Sequence, residues 1–376
     1  MRRRAFVFSL SLVGLGMASP WTFARALRRM QVLVLGGTGF LGPAIVNRLK
    51  ARGHTVTLFN RGLSNPHLFP ELELIRGDRD ARGGLAALEG TRSWDAVIDV
   101  WPSEPRMLEA TASLLKGRAS YYYYISSIAA YQNAGVVTRV DESFPLRPAA
   151  PGYNGGKAES ERILTRLWPS NSGVARPVGI TGDRDDGMAV CYWLTKALGP
   201  GEFIAPGDGK DLLQQVDVHD VAALVVDCVE AQRRGPLNAS GHTYEWAIWL
   251  AIARDAVGGR GQPVWVDAQF LLSNGVREHD NMPIWRWRND QVPQPIYAAD
   301  RAMRFGWRLT PMVQTLRQAW AFYQTLPASE RVFPAVQGSD AWGLSDRRER
   351  ELLTLWAQAQ HARSSSPAHP DGIKEG

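Results

Sequence analysis

A tyrosine and a lysine four residues apart, Tyr153 and Lys157, are the residues best suited to acid–base chemistry. On a helix this spacing places both side chains on one face. A lysine ammonium beside a phenol favours the tyrosinate. Bringing a phenol pKa from about 10 to near 7 requires roughly 4 kcal/mol of stabilisation. The pair therefore predicts a tyrosine that donates and accepts a proton.

The same spacing recurs at Tyr192 and Lys196, so the position in the chain has to decide between two pairs. Tyr153 follows Ser127, which ends a predicted strand, and a serine hydroxyl there can hydrogen-bond the substrate oxygen. Tyr192 comes after the last regular strand and has no such serine before it. We predict that Ser127, Tyr153 and Lys157 are catalytic, and that Tyr192 is structural or contacts the substrate.

A glycine-rich segment, GGTGFLG, follows the first predicted strand and opens the first predicted helix. Gly36 and Gly39 let the backbone approach a pyrophosphate, and Gly42 allows the helix to pack closely on the strand. The helix N-terminus favours the anion. The segment therefore predicts a dinucleotide-binding loop. Its cofactor contacts are predicted at Gly36, Thr38, Gly39, Phe40, Leu41 and Gly42.

The end of the second strand selects between NAD and NADP. An acidic residue there would bind the ribose hydroxyls of NAD, but the chain has Asn60 and Arg61 instead. Arg61 can pair with the 2′-phosphate of NADP. NADP is therefore favoured and NAD is possible; the alternative interpretation of Arg61 is a solvated arginine in a turn.

Two later strand ends are also predicted to meet the cofactor. Asp78 ends the third strand, where the adenine is expected. Asp99 and Val100 end the fourth strand beside the cofactor, and Val100 is the residue predicted to line it.

These residues need a scaffold, and apolar strands alternating with amphipathic helices from residue 31 onward predict an α/β fold. We expect a Rossmann domain over 30–182, with a doubly wound parallel sheet and a smaller C-terminal substrate lobe. The predicted strands are 31–35, 54–59, 72–78, 94–100, 119–126 and 174–182, with a first helix at 40–52.

Beyond residue 182 the alternation becomes irregular. Segments 183–212 and 243–326, rich in Trp, Pro and Gly, are predicted to build the substrate lobe. A strand and helix at 213–232 return to the Rossmann domain. A C-terminal helix is expected at 340–358, and 361–376 is too polar to pack and is predicted to be disordered.

The lobe tryptophans admit two interpretations, a sugar-stacking platform or a packed core, and the core is the commoner use of aromatic residues. They are Trp193, Trp246, Trp249, Trp285 and Trp287. Arg286 and Arg288 either meet an anionic substrate or, as we favour, lie on a solvated face.

The net charge of +6 comes mostly from residues 1–26, which contain four arginines and no acid. The remaining +2 does not indicate a nucleic-acid partner. The chain has two cysteines without metal-ligand spacing, and its seven histidines are scattered, so no metal site is predicted.

The N-terminus has the three regions of an export signal. Arg3 and Arg4 precede an apolar stretch of about 14 residues, too short to span a membrane, and an Ala-Arg-Ala cleavage pattern ends at Ala26. Residues 1–26 therefore predict twin-arginine export to the periplasm and no stable membrane insertion. The alternative is a true start at Met30 and a cytoplasmic protein.

Several of these motifs together resemble the extended short-chain dehydrogenases, the NAD-dependent epimerase/dehydratase family. They are GGTGFLG, Ser126-Ser127 with Tyr131, Tyr153 with Lys157, Arg176-Pro177 and VDVHDVA. TLFNRG, GDRD, WDAVIDV and GLSDRRERELL more narrowly resemble an exported branch with twin-arginine signals. The resemblance implies a Ser127, Tyr153 and Lys157 triad, with nicotinamide contacts near Pro177 and Ile180. The missing acid at Asn60 and the two glycines in YNGGK depart from the family pattern.

Members of that family reduce, epimerise or dehydrate nucleotide sugars and other small carbonyl or alcohol substrates. An NAD(P)-dependent oxidoreductase or epimerase acting on a small molecule is therefore the leading hypothesis. The alternative is a non-catalytic protein that binds NAD(P) as a structural or sensing ligand. The sequence specifies no oligomeric state.

Overall fold

The computed structural model describes residues 28–100, 104–132, 139–185, 187–287, 295–331 and 343–365. The predicted export signal, Arg288 and residues 366–376 of the predicted tail lie outside these ranges.

Seven parallel strands form the central sheet, in the order β11-β7-β5-β4-β1-β2-β3. This is the doubly wound order, so the predicted Rossmann fold is confirmed. The strands of the described residues are β1 (Gln31–Leu35), β2 (Thr55–Asn60), β3 (Glu73–Arg76), β4 (Ala96–Asp99), β5 (Tyr122–Ile125), β6 (Arg139–Val140), β7 (Ser172–Pro177), β8 (Gly179–Thr181), β9 (Glu202–Pro206), β10 (Leu212–Asp217), β11 (Gly235–Ala239), β12 (Thr243–Glu245), β13 (Gln262–Val266) and β14 (Ile296–Tyr297).

Helices cover both faces of this sheet, because its strands are apolar on both sides. The helices are α1 (Leu41–Ala51), α2 (Pro105–Leu115), α3 (Tyr153–Leu167), α4 (Ala189–Leu198), α5 (Val218–Glu230), α6 (Trp246–Val257), α7 (Ala268–Ser273), α8 (Asp300–Arg304), α9 (Met312–Thr325) and α10 (Asp346–Ser365). α1 and α5 pack on one face, with Val34 and Tyr123 of the sheet. α2 and α3 pack on the other, with Leu35 and Tyr122.

The C-terminal lobe has its own core, which includes residues of α4, α6, α9 and α10 and of the two-stranded β9–β13 sheet. Trp193, Trp246, Trp249 and Trp285 lie within it, each no more than 1 % exposed. Trp246 stacks on Trp249 with ring centroids 5.2 Å apart. These four side chains are therefore core, which leaves Trp287, partly buried, as the remaining tryptophan of the stacking hypothesis.

The predicted strand at 174–182 is two strands that belong to different sheets. β7 joins the central sheet, whereas β8 pairs with β10 in a three-stranded sheet completed by β12. Val178, whose N–H donates to Ala239 O, separates the two. β10 was predicted to return to the Rossmann domain together with α5. It pairs with β8 and is not a strand of the central sheet, but Val216 of β10 packs with α5 in the core on one face of that sheet. The seventh strand of that sheet is β11, which the sequence pattern missed.

α10 extends to Ser365, beyond the residue where the disordered tail was predicted to begin. Within the described ranges no helix is long and apolar enough to cross a membrane. In those same ranges no three His, Cys, Asp or Glu side chains are grouped as metal ligands.

Candidate functional site

The glycine-rich loop between β1 and α1 has the backbone that the sequence predicts. Gly36 and Gly37 have φ angles of 108° and 94°, which L side chains rarely adopt. A Cβ on Gly42 would lie 2.6 Å from Gly37 Cα, so the third glycine allows the helix to meet the loop. Gly37, which the sequence analysis did not single out, packs against Leu58.

This loop fits a pyrophosphate on two observations. A Cβ on Gly39 would have no atom within 4 Å, so this position faces open space. The N-terminus of α1 carries no side-chain cap at Phe40 and no acid in its first turn. Backbone N–H groups left without partners at a helix N-terminus attract an anion. The loop and helix therefore form a cradle for the diphosphate of a dinucleotide.

Asn60 supports this loop. Its amide donates to Gly36 O at 2.8 Å, and its side-chain oxygen accepts from Gly62 N at 2.7 Å. Asn65 similarly donates to Thr38 O at 2.8 Å. Asn60, at the position where an acidic residue would bind the ribose, therefore uses its side chain to hold the loop in place.

Two arginines lie at this end of β2. Arg61 is exposed and forms no ion pair with a described residue. Arg76 of β3 is the register partner of Asn60 in β2. Its guanidinium lies beside Gly62, 3.0 Å from the position that a Cβ on Gly62 would take.

The other predicted cofactor residues also lie at the carboxyl ends of the strands. Val100 follows β4 and would contact a Cβ on Gly36 at 3.6 Å. Pro177 ends β7 and Ile180 lies in β8, beyond the break between these strands. Asp78 follows β3, and its carboxylate accepts from Asp80 N at 3.0 Å, closing a turn.

Tyr153 and Lys157 come together at the start of α3. Lys157 Nζ lies 5.6 Å from the centroid of the Tyr153 ring and donates to Ile125 O at 2.9 Å. Tyr153 is 48 % exposed, whereas Lys157 is 3 % exposed. The lysine is therefore anchored in the interior while the tyrosine ring is half-exposed at the surface.

Ser127 lies two residues after the end of β5, the strand to which Lys157 is anchored. It caps a single 3₁₀ turn, and its Oγ accepts from Ala129 N at 3.1 Å. The residue is buried, at 9 % exposure. A hydroxyl used as an acceptor by the backbone keeps its proton available for donation.

Burial lowers the pKa of Lys157 to about 8, and the carboxylates of Asp99 and Glu161 oppose the decrease. The ammonium is therefore the main form at neutral pH, but its charge is lost a little above it. A proton on Lys157 favours the tyrosinate of Tyr153.

The first glycine of YNGGK, Gly155, has a packing role. Gly155 is buried, and a Cβ there would overlap the backbone of Ala150. The loop before α3 crosses the helix at this position, so the glycine permits a close approach that fixes the first turn.

A buried ion pair lies one turn further along α3. Glu161 accepts three hydrogen bonds from Arg176 of β7, from Nε at 3.0 and 3.1 Å and from Nη2 at 2.6 Å, and one from Ser126. Both charged side chains are 5 % exposed. The Arg176 guanidinium stacks on Tyr131 at 4.5 Å. The sequence motifs include Arg176 and Tyr131, but they did not predict this network. The feature of the sequence that could have indicated it is Glu161, four residues after Lys157 and therefore on the same face of the helix.

The second Tyr-x-x-x-Lys pair is part of the lobe instead. Tyr192 is 3 % exposed and its hydroxyl accepts from Leu344 N at 3.2 Å. Lys196 donates to Glu349 at 2.7 Å. This pair connects α4 to α10, in agreement with a structural role.

Comparisons with known proteins agree with this fold. Residues 32–105 match the model of the NAD dependent epimerase/dehydratase family. The chain is 27 % identical to 2′-dehydrokanamycin reductase of Streptomyces kanamyceticus, over 64 % of this chain and 70 % of that one. It is 26 % identical to the chloroplast stem-loop binding protein of 41 kDa b of Arabidopsis thaliana, over 64 % of this chain and 66 % of the relative.

Among solved structures, the Bordetella bronchiseptica enzyme WbmH, in complex with NAD+, superposes with a TM-score of 0.63. The two chains are 17 % identical, and the match covers 79 % of this chain and 99 % of WbmH. Residues 32–105 therefore resemble the NAD-dependent epimerase/dehydratase family of extended short-chain dehydrogenases, and the structural match shows the same fold over 79 % of the chain. The resemblance to this family that the sequence motifs indicated is therefore confirmed, whereas the narrower resemblance to an exported branch stays a prediction.

Proposed function

We propose that this protein is an NAD(P)-dependent oxidoreductase or epimerase that acts on a small carbonyl, alcohol or sugar-like substrate, with Tyr153 as its acid/base. The observation that carries the proposal is the pairing of a half-exposed phenol with a buried lysine 5.6 Å from its ring. That arrangement lies on the same edge of the sheet as the glycine loop. The similarity to a reductase and to an enzyme solved in complex with NAD+ supports the class.

Each residue of the triad has a separate task. Tyr153 receives the proton of a substrate alcohol, or returns it to a carbonyl oxygen. Lys157 stabilises the phenolate charge and would also hold the ribose hydroxyls of the cofactor. Ser127 donates a hydrogen bond to the same substrate oxygen. The nicotinamide, when bound, supplies the hydride acceptor or donor.

The direct test is a panel of sugars, aldehydes, ketones and alcohols with the purified protein, monitored by nicotinamide absorbance and by product analysis for redox-neutral reactions. We expect turnover of at least one class, with a cofactor found by mass spectrometry after native purification. Tight NAD(P) binding without turnover over the whole panel would instead support the alternative function, a non-catalytic NAD(P)-binding protein.

We further propose NADP as the preferred cofactor. Arg61 has no acidic partner among the described residues, and Arg76 lies beside the same turn. A charge-assisted pair with the 2′-phosphate contributes about 1.5–3 kcal/mol, or about ten- to a hundredfold in affinity. Arg61→Ala should weaken NADP binding by that factor in calorimetric titration and leave NAD binding unchanged. Equal losses for both nucleotides, or a wild-type preference for NAD, would refute the proposal.

We also propose that the protein is exported. The support is the twin arginine Arg3-Arg4, the short apolar stretch and the cleavage pattern at Ala26. Replacing both arginines by lysine should retain an unprocessed protein in the cytoplasm, as judged by fractionation and N-terminal sequencing of the mature form. A natural N-terminus at Met30 would contradict this.

A further inference from the structure

Asp99 is a buried carboxylate that the proposed mechanism does not use. It ends β4, one residue before Val100, and is 0 % exposed. Its carboxylate accepts from Arg79 Nη1 at 2.8 Å and from the Tyr122 hydroxyl at 2.7 Å. The Arg79 side chain is itself 9 % exposed. The Asp99 carboxylate and the Arg79 guanidinium are therefore buried together at the edge of the sheet where the glycine loop lies.

The pair shares a layer with Lys157. Asp99 lies opposite Tyr124 in the β4–β5 register, and the Tyr124 ring lies under Lys157 Nζ, with its centroid 4.9 Å away. Adjacent in-register residues of neighbouring strands project to the same face of a sheet. Asp99, Tyr124 and Lys157 are therefore neighbours on the face covered by α3.

Several charged and titratable groups face Lys157 from the elements around it. Asp99 of β4 and Glu161 of α3 favour its ammonium, and Arg79 after β3 opposes it. Tyr153 and Tyr124 present their rings. Glu161 is engaged by two nitrogens of Arg176, which offsets much of its field at the lysine.

We propose that Asp99 is a positioning residue that keeps Lys157 protonated, and that Arg79 limits this effect, so that the pair sets the pH range over which Tyr153 exchanges protons. The proposal rests on the proposed function of Tyr153 and Lys157. Arg79 never loses its proton, so its opposition is constant with pH. Burial raises the pKa of Asp99, and the charge of Arg79, the hydrogen bond from Tyr122 and the charge of Lys157 oppose that rise, so the Asp99 carboxylate and the two cations stabilise one another.

The charge state of Lys157 can be measured directly in the cofactor-free protein. The chain has six lysines, so ¹³C-lysine labelling gives few NMR signals, and the Lys157→Arg variant assigns the signal of Lys157. Asp99→Asn should lower the Lys157 pKa by about one unit or more, because it removes an opposite charge. Arg79→Met should raise it, because it removes a like charge.

Shifts of the Lys157 pKa in opposite directions distinguish an electrostatic effect from a structural disruption, since a disruption would shift this pKa in the same direction in both variants. Arg79→Met also keeps the test valid if Asp99→Asn does not fold. Tyr122→Phe is the matched control, because it removes a hydrogen bond to Asp99 but leaves both charges, and it should cause a much smaller shift. An unchanged Lys157 pKa in both single variants, or shifts of the same sign, would overturn the proposal.

No substrate is needed for this titration, so its outcome is independent of the proposed reaction. Opposite shifts in a protein whose Tyr153→Phe variant is fully active would support the Asp99 proposal and refute the catalytic one. In an active enzyme, Asp99→Asn should also move the high-pH limb of the kcat/KM profile to lower pH, because Lys157 loses its proton earlier.

Discussion

Tyr153→Phe should lose most turnover, about 10²–10⁴-fold in kcat/KM, while cofactor affinity stays nearly unchanged. The phenylalanine keeps the ring beside Lys157 but has no exchangeable proton. Steady-state kinetics with any substrate found in the panel, together with a nucleotide titration, separates the two effects. Lys157→Ala should reduce both turnover and cofactor binding, and Ser127→Ala should reduce turnover alone.

Tyr192→Phe is the internal control, because Tyr192 has the same local motif but lies in the lobe core. It removes a hydrogen bond to Leu344 N, so a stability loss of about 1 kcal/mol with normal turnover is expected. Comparable activity in wild type and Tyr153→Phe would leave the nucleotide-binding fold intact and refute the assignment of the acid/base.

Arg176→Met should destabilise the protein strongly. It leaves the Glu161 carboxylate buried without its cation, and breaking a buried pair in this way costs about 3–5 kcal/mol. Urea denaturation at neutral pH measures the change in free energy of unfolding. The double variant Glu161→Leu with Arg176→Met should recover part of the loss, because no unpaired charge remains.

Arg166→Met is the matched control on the same helix. Arg166 pairs with Glu109 at 2.7 Å, but the two side chains are 62 % and 48 % exposed. An exposed pair contributes about 0–1 kcal/mol. A loss for Arg176→Met no greater than that for Arg166→Met would show that the buried pair does not stabilise α3.

The sequence predicted those features that depend on local pattern. β1 was predicted at its observed bounds, because QVLVL is an unbroken apolar run buried on both faces. The glycine loop was predicted because its backbone conformation and its close contact with the helix require residues without a Cβ. The grouping of Tyr153 with Lys157 follows from helical spacing alone.

Features that depend on distant partners were missed. β7 and β8 were merged because both are apolar, and only their different sheet partners separate them. β11 was missed because it begins with Gly and Pro and contains Asn238. That asparagine is fully buried, accepts from the Tyr131 hydroxyl at 2.7 Å and donates to Ala298 O at 2.9 Å. Its polarity is satisfied by residues that the linear pattern does not bring near.

The Asp99–Arg79 pair shows the same limit within the site. The sequence placed Asp99 at a strand end beside the cofactor, but its partner belongs to the loop after β3. Which residue of that loop turns inward was not readable from the pattern. The structure turns Arg79 inward and leaves Asp78 to close the turn.

The separation of β7 from β8 at Val178 bears on how such a protein diverges. The lobe is not a second domain added at one junction. Its strands and helices come from excursions that leave the central sheet after β7 and again after β11. Loops held on a rigid scaffold tolerate insertion and exchange. Each excursion can therefore change in length or composition without altering the seven-stranded sheet or the glycine loop at its edge.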